Sequence, residues 1–361
     1  MQSLQEQKNA LFPLLQTAME LELSTIPPYL TALLSIRPEA NRVAANLIRT
    51  VMMEEMLHMT LVGNLTASLG GRVALGEGNL PAYPLSMEFE GQRFRDRQFE
   101  VDLAPFSEAG LDTFMQIEMP TDWMDREPSY KAFAEIEVPG ITIGAFYQMI
   151  EQQLAQMCAQ YPESEVFCGD PAHQIDENYY WAGGGKPVVI TTLASAREAL
   201  QLIIEQGEGA GGGLMDGDRH YFDQPLEVAH FFRFREIAFG RHYRPDDHPK
   251  EPPTGTQFEV DFAAVYPIIR NPKAADYGGD EQMARWNHQF NAAYSLMLDQ
   301  IAQAFNGNPE VLYTAIVNGM HSLTPVARQM MTTPIAEDPE GRHGGPSFEW
   351  VPPPYASKGA G

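Results

Sequence analysis

The stretch VMMEEMLHMTL, Val51 to Leu61, reads as the middle of a helix, yet it carries Glu54, Glu55 and His58 among methionines and leucines. Upstream and downstream, Ala44, Leu47, Ile48, Leu61, Val62 and Leu65 recur at helical spacing, so the apolar stripe continues on both sides. Glu55 lies on that stripe, four residues after Val51 and seven after Ile48, and His58 follows one turn further along the same face. Glu54 falls at its edge and is expected to be partly solvated or to support its neighbours.

A preceding helix carries Leu11, Leu15, Ala18, Ile26, Leu30 and Leu33, and the short turn around Arg37-Pro38-Glu39 makes the two an antiparallel pair. Within it Glu20 and Glu22 must differ, because two residues turn a helix by about 200°. Glu22 shares the face of Leu15, Ala18 and Ile26 and is expected to be buried. A buried carboxylate costs several kcal/mol unless it is paired, protonated or bound to metal. The bland reading of Glu22 is an ion pair with an arginine such as Arg233.

A second E-x-x-H occurs in PLEVAHFFRFREI, where Glu227 and His230 share a face with Phe231 and Phe234. Here the bland reading of Glu227 is an acidic first-turn residue favoured by the helix dipole. Helical bundles use E-x-x-H to present one carboxylate and one imidazole to a divalent ion, and dimetal bundles need two such motifs plus a glutamate from each of two other helices. Single E-x-x-H matches are weak in a chain this acidic; their order carries more weight. Glu22, then Glu55 and His58, then a third-helix glutamate, then Glu227 and His230 is the full arrangement. Glu205, in the last turn of LIIEQGEG, is favoured for the third helix over Glu151, which lies mid-helix between Tyr147 and Leu154. Tyr29, Tyr147 and Tyr221 are aromatic hydroxyls able to approach such a site, and the methionines at 52, 53, 56 and 59 are read as packing residues. Carboxylates and imidazoles suit iron or manganese better than copper(I).

The remaining organisation is mainly α. Residues 72–140 turn to Pro, Gly and short alternating stretches, an insertion expected to hold a hairpin and one short helix. Helical spacing resumes from Ile143 to about Ala159, a strand-like Val188-Val189-Ile190 follows, and a helix from about Leu193 to Gln206 ends at GEGAGGG. Asp223 and Pro225 are expected to open the helix that reaches Gly240. Asp280 caps a long helix, and Asn308-Pro309 begins the last. The expected organisation is a single helical domain over 1–333 and an extended Pro/Gly-rich tail over 334–361.

With 48 acidic against 24 basic residues, the net charge of -24 repels nucleic acid and anionic membranes alike. Two cysteines, Cys158 and Cys168, give no disulfide framework. No basic segment precedes an apolar run at the N-terminus and no apolar stretch is long enough to span a bilayer, so a cytoplasmic protein is expected, with a homo-oligomer as one possible state.

Several motifs in order, LELSTIPPYLTALLSI, EEMLHM, IIEQGEG, EVAHFFRFREIAFGR and GGPSFEW, resemble the ferritin-like proteins grouped with the iminophenyl-pyruvate dimer synthase domain of violacein-type bisindole biosynthesis. The likeness runs from about Leu11 to Trp350. It implies a ferritin-like four-helix bundle with additional C-terminal helices, a role in bacterial secondary metabolism and oxidative chemistry on an amino-acid-derived substrate. Mapped by motif, it supports Glu22, Glu55, His58, Glu205, Glu227 and His230 as metal ligands and catalytic residues. The dimer synthases are longer proteins associated with haem, and this chain has no C-x-x-C-H attachment motif.

The expected function is therefore a non-haem dimetal oxidase or oxygenase, with two divalent ions, iron foremost, and O2 as co-substrate for a small molecule. Metal storage and a metal-free helical scaffold are the alternatives. Pro27-Pro28, one turn after Glu22, is expected to kink the first helix and open a substrate pocket beside the metals.

Overall fold

The computed structural model describes residues 2–89, 92–94, 99–124, 141–181, 183–217 and 227–353. Helix α1 (Leu4–Ser35) starts at a capping box in which Ser3 and Glu6 satisfy each other's backbone N–H groups. It continues through Pro13, Pro27 and Pro28. Pro28 has no N–H to give the Ser24 carbonyl, and the hydroxyl of buried Tyr83 donates to that oxygen instead, at 2.7 Å. The hydroxyls of Ser24 and Thr25 reach the carbonyls of Leu21 and Glu22. The prolines thus interrupt the hydrogen-bond ladder without ending the helix.

Helix α2 (Arg42–Ser68) returns antiparallel to α1 and stops at Gly70. There the Gly70 N–H bonds the Ala67 carbonyl and the Gly71 N–H bonds the Thr66 carbonyl, with Gly70 at φ +79°, a conformation that favours glycine.

Among its described residues the insertion contains two small antiparallel pairs. Strand β1 (Leu85–Ser86) pairs with β4 (Glu100–Val101), enclosing the hairpin of β2 (Glu88–Phe89) and β3 (Gln92–Arg93). Two helices follow where one was expected, α3 (Glu108–Ile117) and α4 (Thr121–Met124). Beyond them lie α5 (Ile143–Gln160), α6 (Glu163–Val166) and α7 (Leu193–Glu208). Residues 188–190 are extended, but their pairing comes from side chains rather than a second strand. Asn64 donates to the Val188 carbonyl, and the Gln174 amide exchanges two hydrogen bonds with Ile190.

Four helices close a ring, α1 on α2, α2 on α7, α7 on α5 and α5 on α1. Leu15, Ala18, Ile48, Leu61, Phe146, Ile150 and Ile203 belong to its continuous buried core. Helix α8 (His230–Phe239) packs against α2, α3 and α7. A further layer, α9 (Glu281–Phe305), α10 (Val311–Thr314), a π-helical segment over 315–320 and α11 (His321–Met331), covers the other side of α1 and α2. The described part of the Pro/Gly-rich segment, 334–353, is largely irregular but docked: Phe348 is buried against Phe290 and Tyr294, worth roughly 1.5–3 kcal/mol of apolar burial. Among the described residues, no helix is long and apolar enough to cross a membrane.

Tyr83→Phe should lower the free energy of unfolding by about 1–3 kcal/mol, since it strands a buried carbonyl in α1. Urea titration followed by circular dichroism measures this, and an unchanged midpoint would show that the Ser24 carbonyl has another partner.

Candidate metal centre

Five buried side chains from four helical elements converge. Glu22 comes from α1, Glu55 and His58 from α2, Glu118 from the residue that caps α3, and His230 from the first position of α8; none is more than 6% exposed. His58 Nδ1 lies 3.3 Å from Glu22 Oε2 and 3.8 Å from Glu55 Oε1. His230 Nδ1 lies 2.9 Å from the same Glu55 oxygen and 3.5 Å from Glu118 Oε2. The imidazole rings face each other at 5.4 Å, inclined by 25°. Two three-residue groups result, Glu22–Glu55–His58 and Glu55–Glu118–His230, with Glu55 common to both.

Each side chain turns one polar atom inward and anchors the other. Glu22 Oε1 accepts from the Tyr147 hydroxyl, Glu118 Oε1 accepts from Tyr29 at 2.6 Å, and Glu55 Oε2 lies 2.8 Å from the Thr25 hydroxyl. The oxygens left over are the three that face the histidines. The imidazoles follow the same rule. His58 Nε2 meets Gln206 Oε1 at 2.9 Å, and the Gln206 amide is oriented by donating to the Gly184 carbonyl, so Nε2 must carry the proton. His230 Nε2 meets Glu54 Oε2 at 2.8 Å and donates likewise. In the neutral rings both Nδ1 lone pairs then aim into the cluster, the arrangement in which outer partners fix ligating histidines.

His230 Nδ1 tests whether a metal fits. It is fully buried, and its contacts to Glu55 and Glu118 lack hydrogen-bond direction, so among the described residues it has no hydrogen-bond partner. A buried ring nitrogen left so is costly unless something else occupies the space it faces. Three carboxylate oxygens and two imidazole nitrogens are a donor set suited to divalent iron or manganese.

Beside the cluster lies a group that resolves differently. Glu54, fully buried, accepts from Arg233 Nη1 at 2.9 Å, while Arg233 Nη2 bonds Asp216 at 2.9 Å and Glu227 at 3.3 Å. The guanidinium sits where a cation would, so these carboxylates are already compensated. Arg233 is itself buried and holds its proton more tightly than usual: burial opposes the charge, but Glu54, Glu227 and Asp216 outweigh it.

Protons collect at the cluster. Burial, then the neighbouring charge of Glu118, raises Glu55 to about 7. For Glu22 burial acts upward too, but the hydrogen bond and charge of His58, with Tyr147, take it below the ordinary carboxylate value. Burial works against a charged His58, yet Glu22 raises it above the usual histidine value; His230 is raised further against the same burial by Glu118, Glu54 and Glu55. Tyr29 and Tyr147 are pushed well above the usual phenol value by burial and then by Glu118 and Glu22 respectively, so both remain donors.

Of the six residues selected from sequence, the structure brings together Glu22, Glu55, His58 and His230. Glu205 and Glu227 lie elsewhere. Glu205 stays half-buried on α7, bonded to Gln201, and its neighbour Gln206 is the residue that reaches the site. Glu151, the alternative, pairs with Arg197 at 2.7 Å and does not reach the cluster either. Glu227 precedes α8, which starts at His230 and not near Pro225, so the i, i+3 spacing no longer aligns it with His230; it turns to Arg233. Asp223 and Pro225, expected to open that helix, and Tyr221 lie outside the described residues. Of the two expectations for Glu54, partial solvation fails, since it is fully buried, and support of a neighbour holds, since it contacts His230; Arg233 pairs with it instead of with Glu22. The carboxylate missed in sequence is Glu118. It lies four residues after Phe114 and seven after Leu111, both buried, so the test that selected Glu22 also selects Glu118.

A family model described as Ferritin-like matches residues 15–239, and the chain belongs to this family. Its fold is shared by a ferritin-like protein from Caulobacter vibrioides, with a TM-score of 0.59 over 93% of this chain and 97% of that one, at 23% identity. In sequence it is similar to dichlorochromopyrrolate synthase from Lentzea aerocolonigenes, 29% identical over 177 residues. The match takes in 44% of this chain and 16% of that enzyme's length.

Metal affinity should rise with pH. Protons on Glu55, His58 and His230 compete with the ions, and all three hold them more tightly than usual, so Fe(II) or Mn(II) binding should weaken steeply as pH falls through 7 and below. Calorimetry in buffers of different ionisation enthalpy should register released protons; pH-independent binding between 5 and 8 would contradict this.

Proposed function

We propose that the cluster holds two divalent metal ions, one bound by Glu22 and His58, the other by Glu118 and His230, with Glu55 shared between them. On this reading the chain is an O2-dependent, non-haem oxidoreductase that acts on a small amino-acid-derived metabolite of bacterial secondary metabolism. The observation that carries it is the set of five inward-facing donor atoms, each on a side chain whose other polar atom has a hydroxyl, amide or carboxylate contact.

A pair of redox-active ions in such a site supplies electrons to O2 and an oxidising equivalent to an organic substrate. The chain's residues hold that chemistry in place. Tyr147, Thr25 and Tyr29 orient the three carboxylates, and Gln206 and Glu54 fix the histidine tautomers. Arg233 keeps Glu54 anionic, so Glu54 accepts from His230 instead of competing for a proton. The nearly complete burial of the five side chains excludes bulk water, which strengthens every electrostatic interaction within the site. Five side chains divided between two ions leave room for exogenous ligands. The likeness to a synthase of dichlorochromopyrrolate supports a biosynthetic substrate over a storage role.

Elemental analysis of protein purified without added metal tests the reading. Native protein should carry about two equivalents of iron or manganese per chain. His58→Ala, His230→Ala and Glu118→Ala should each lose at least one equivalent, Glu55→Ala both, and Glu205→Gln and Glu151→Gln none. Reduced iron-loaded protein should consume O2, and the Glu55 variant should not. Native protein that stays metal-free when iron and manganese are offered would refute the proposal.

A further inference from the structure

On the side of α1 and α2 that faces the C-terminal layer, the molecule contains a cavity of about 420 Å3. It adjoins the proline segment of α1 through Ile26 and Leu30, but none of the five cluster residues lines it. On α2 its wall is Met52, Met56 and Met59, one step around the helix from Glu55 and His58. The cavity and the carboxylate cluster thus occupy different faces of α2.

The wall has a definite chemistry. Five methionines line it, the three on α2 plus Met297 of α9 and Met320 of the π-helical segment. Methionine adapts to irregular ligands and makes favourable contacts with aromatic rings through its sulfur. No Lys, Arg, Asp or Glu is among the described lining residues, and the one imidazole, His321, is exposed at the rim, so an ionised ligand in the interior would lose hydration with no buried countercharge to replace it. One polar group is left over. Tyr294 is 3% exposed and lines the cavity, yet its hydroxyl has no hydrogen-bond partner among the described residues. Burial raises its pKa, so the hydroxyl keeps its proton as a donor in want of an acceptor.

We propose that this cavity is a small-molecule site, separate from the metal cluster, for an uncharged aromatic compound that presents one hydrogen-bond acceptor to Tyr294. A volume of this size is typical of small-ligand pockets lined by apolar groups with a few placed polar ones. The π-helical segment over 315–320 forms part of the wall through Ile316 and Met320, and such segments recur at functional sites.

The probe is Prodan, an uncharged naphthyl ketone whose emission reports polarity and hydrogen bonding at its carbonyl, titrated into the full chain. One saturable site with blue-shifted emission is expected. Ile301→Trp and Met320→Trp, both at half-buried positions on the wall remote from the cluster, should weaken binding at least tenfold while metal content stays native. Tyr294→Phe should weaken it about three- to tenfold and shift the bound emission further to the blue, because the carbonyl loses its donor. Laurate, an anion of similar bulk, should compete at least tenfold less well than uncharged 2-acetylnaphthalene. Absence of saturable binding, affinity unmoved by the two tryptophans, or tighter binding of laurate would overturn the proposal. Because metal content is read in the same samples, either claim can fail without the other.

Discussion

Three carboxylates share one dry interior, and the rest of the site is arranged around that fact. At an effective dielectric of about 20, two like charges about 4 Å apart repel by roughly 4 kcal/mol. Two such neighbouring pairs, Glu22 with Glu55 and Glu55 with Glu118, approach the entire stability of an ordinary domain, about 5–15 kcal/mol. Protons can answer this, and the raised pKa of Glu55 and both histidines shows where they would go. A pair of dications answers it without them. The His230 end favours the second solution, since a proton at its Nδ1 would find no properly aligned acceptor, whereas His58 Nδ1 has Glu22 Oε2 at 3.3 Å.

The fold supplies the five cluster side chains unevenly. The antiparallel α1 and α2 deliver three of the five, and their pairing alone sets the Glu22–Glu55–His58 half. The other half comes from the end of α3 and the start of α8, which pack on each other. Arg233 joins these parts. One turn into α8, it holds Asp216 and Glu227 from the segments before that helix and Glu54 from α2, so its buried charge fixes the position from which His230 enters. Arg233 thereby also supplies the positive charge for that second acidic group.

Much of this was legible in the residues. Helical spacing located α1, α2, α5, α7 and α9, and the stripe test distinguished buried Glu22 from Glu20, which is half-buried and bonds Gln16 and Asn79. It was less informative where helices begin. The E-x-x-H spacing holds only if both residues are helical, and α8 starts at His230, so Glu227 was grouped with the wrong partner. Glu118 was passed over because it lies in a stretch that reads as irregular insertion, although its own short helix has the right periodicity. Local pattern shows that a carboxylate is buried; which carboxylates meet depends on long-range docking of α3 and α8, and that has no local signature. The preference for Glu205 over Glu151 had the same origin, since both look to α5 or α7 for a carboxylate that α3 supplies in Glu118.

The most direct measurement is anomalous diffraction at the iron or manganese edge from crystals grown with that metal. The account predicts two peaks, about 3.5–4 Å apart, on either side of the Glu55 carboxylate, one next to His58 Nδ1 and the other next to His230 Nδ1. A single peak, or one among Glu54, Asp216 and Glu227 with Arg233 displaced, would contradict it.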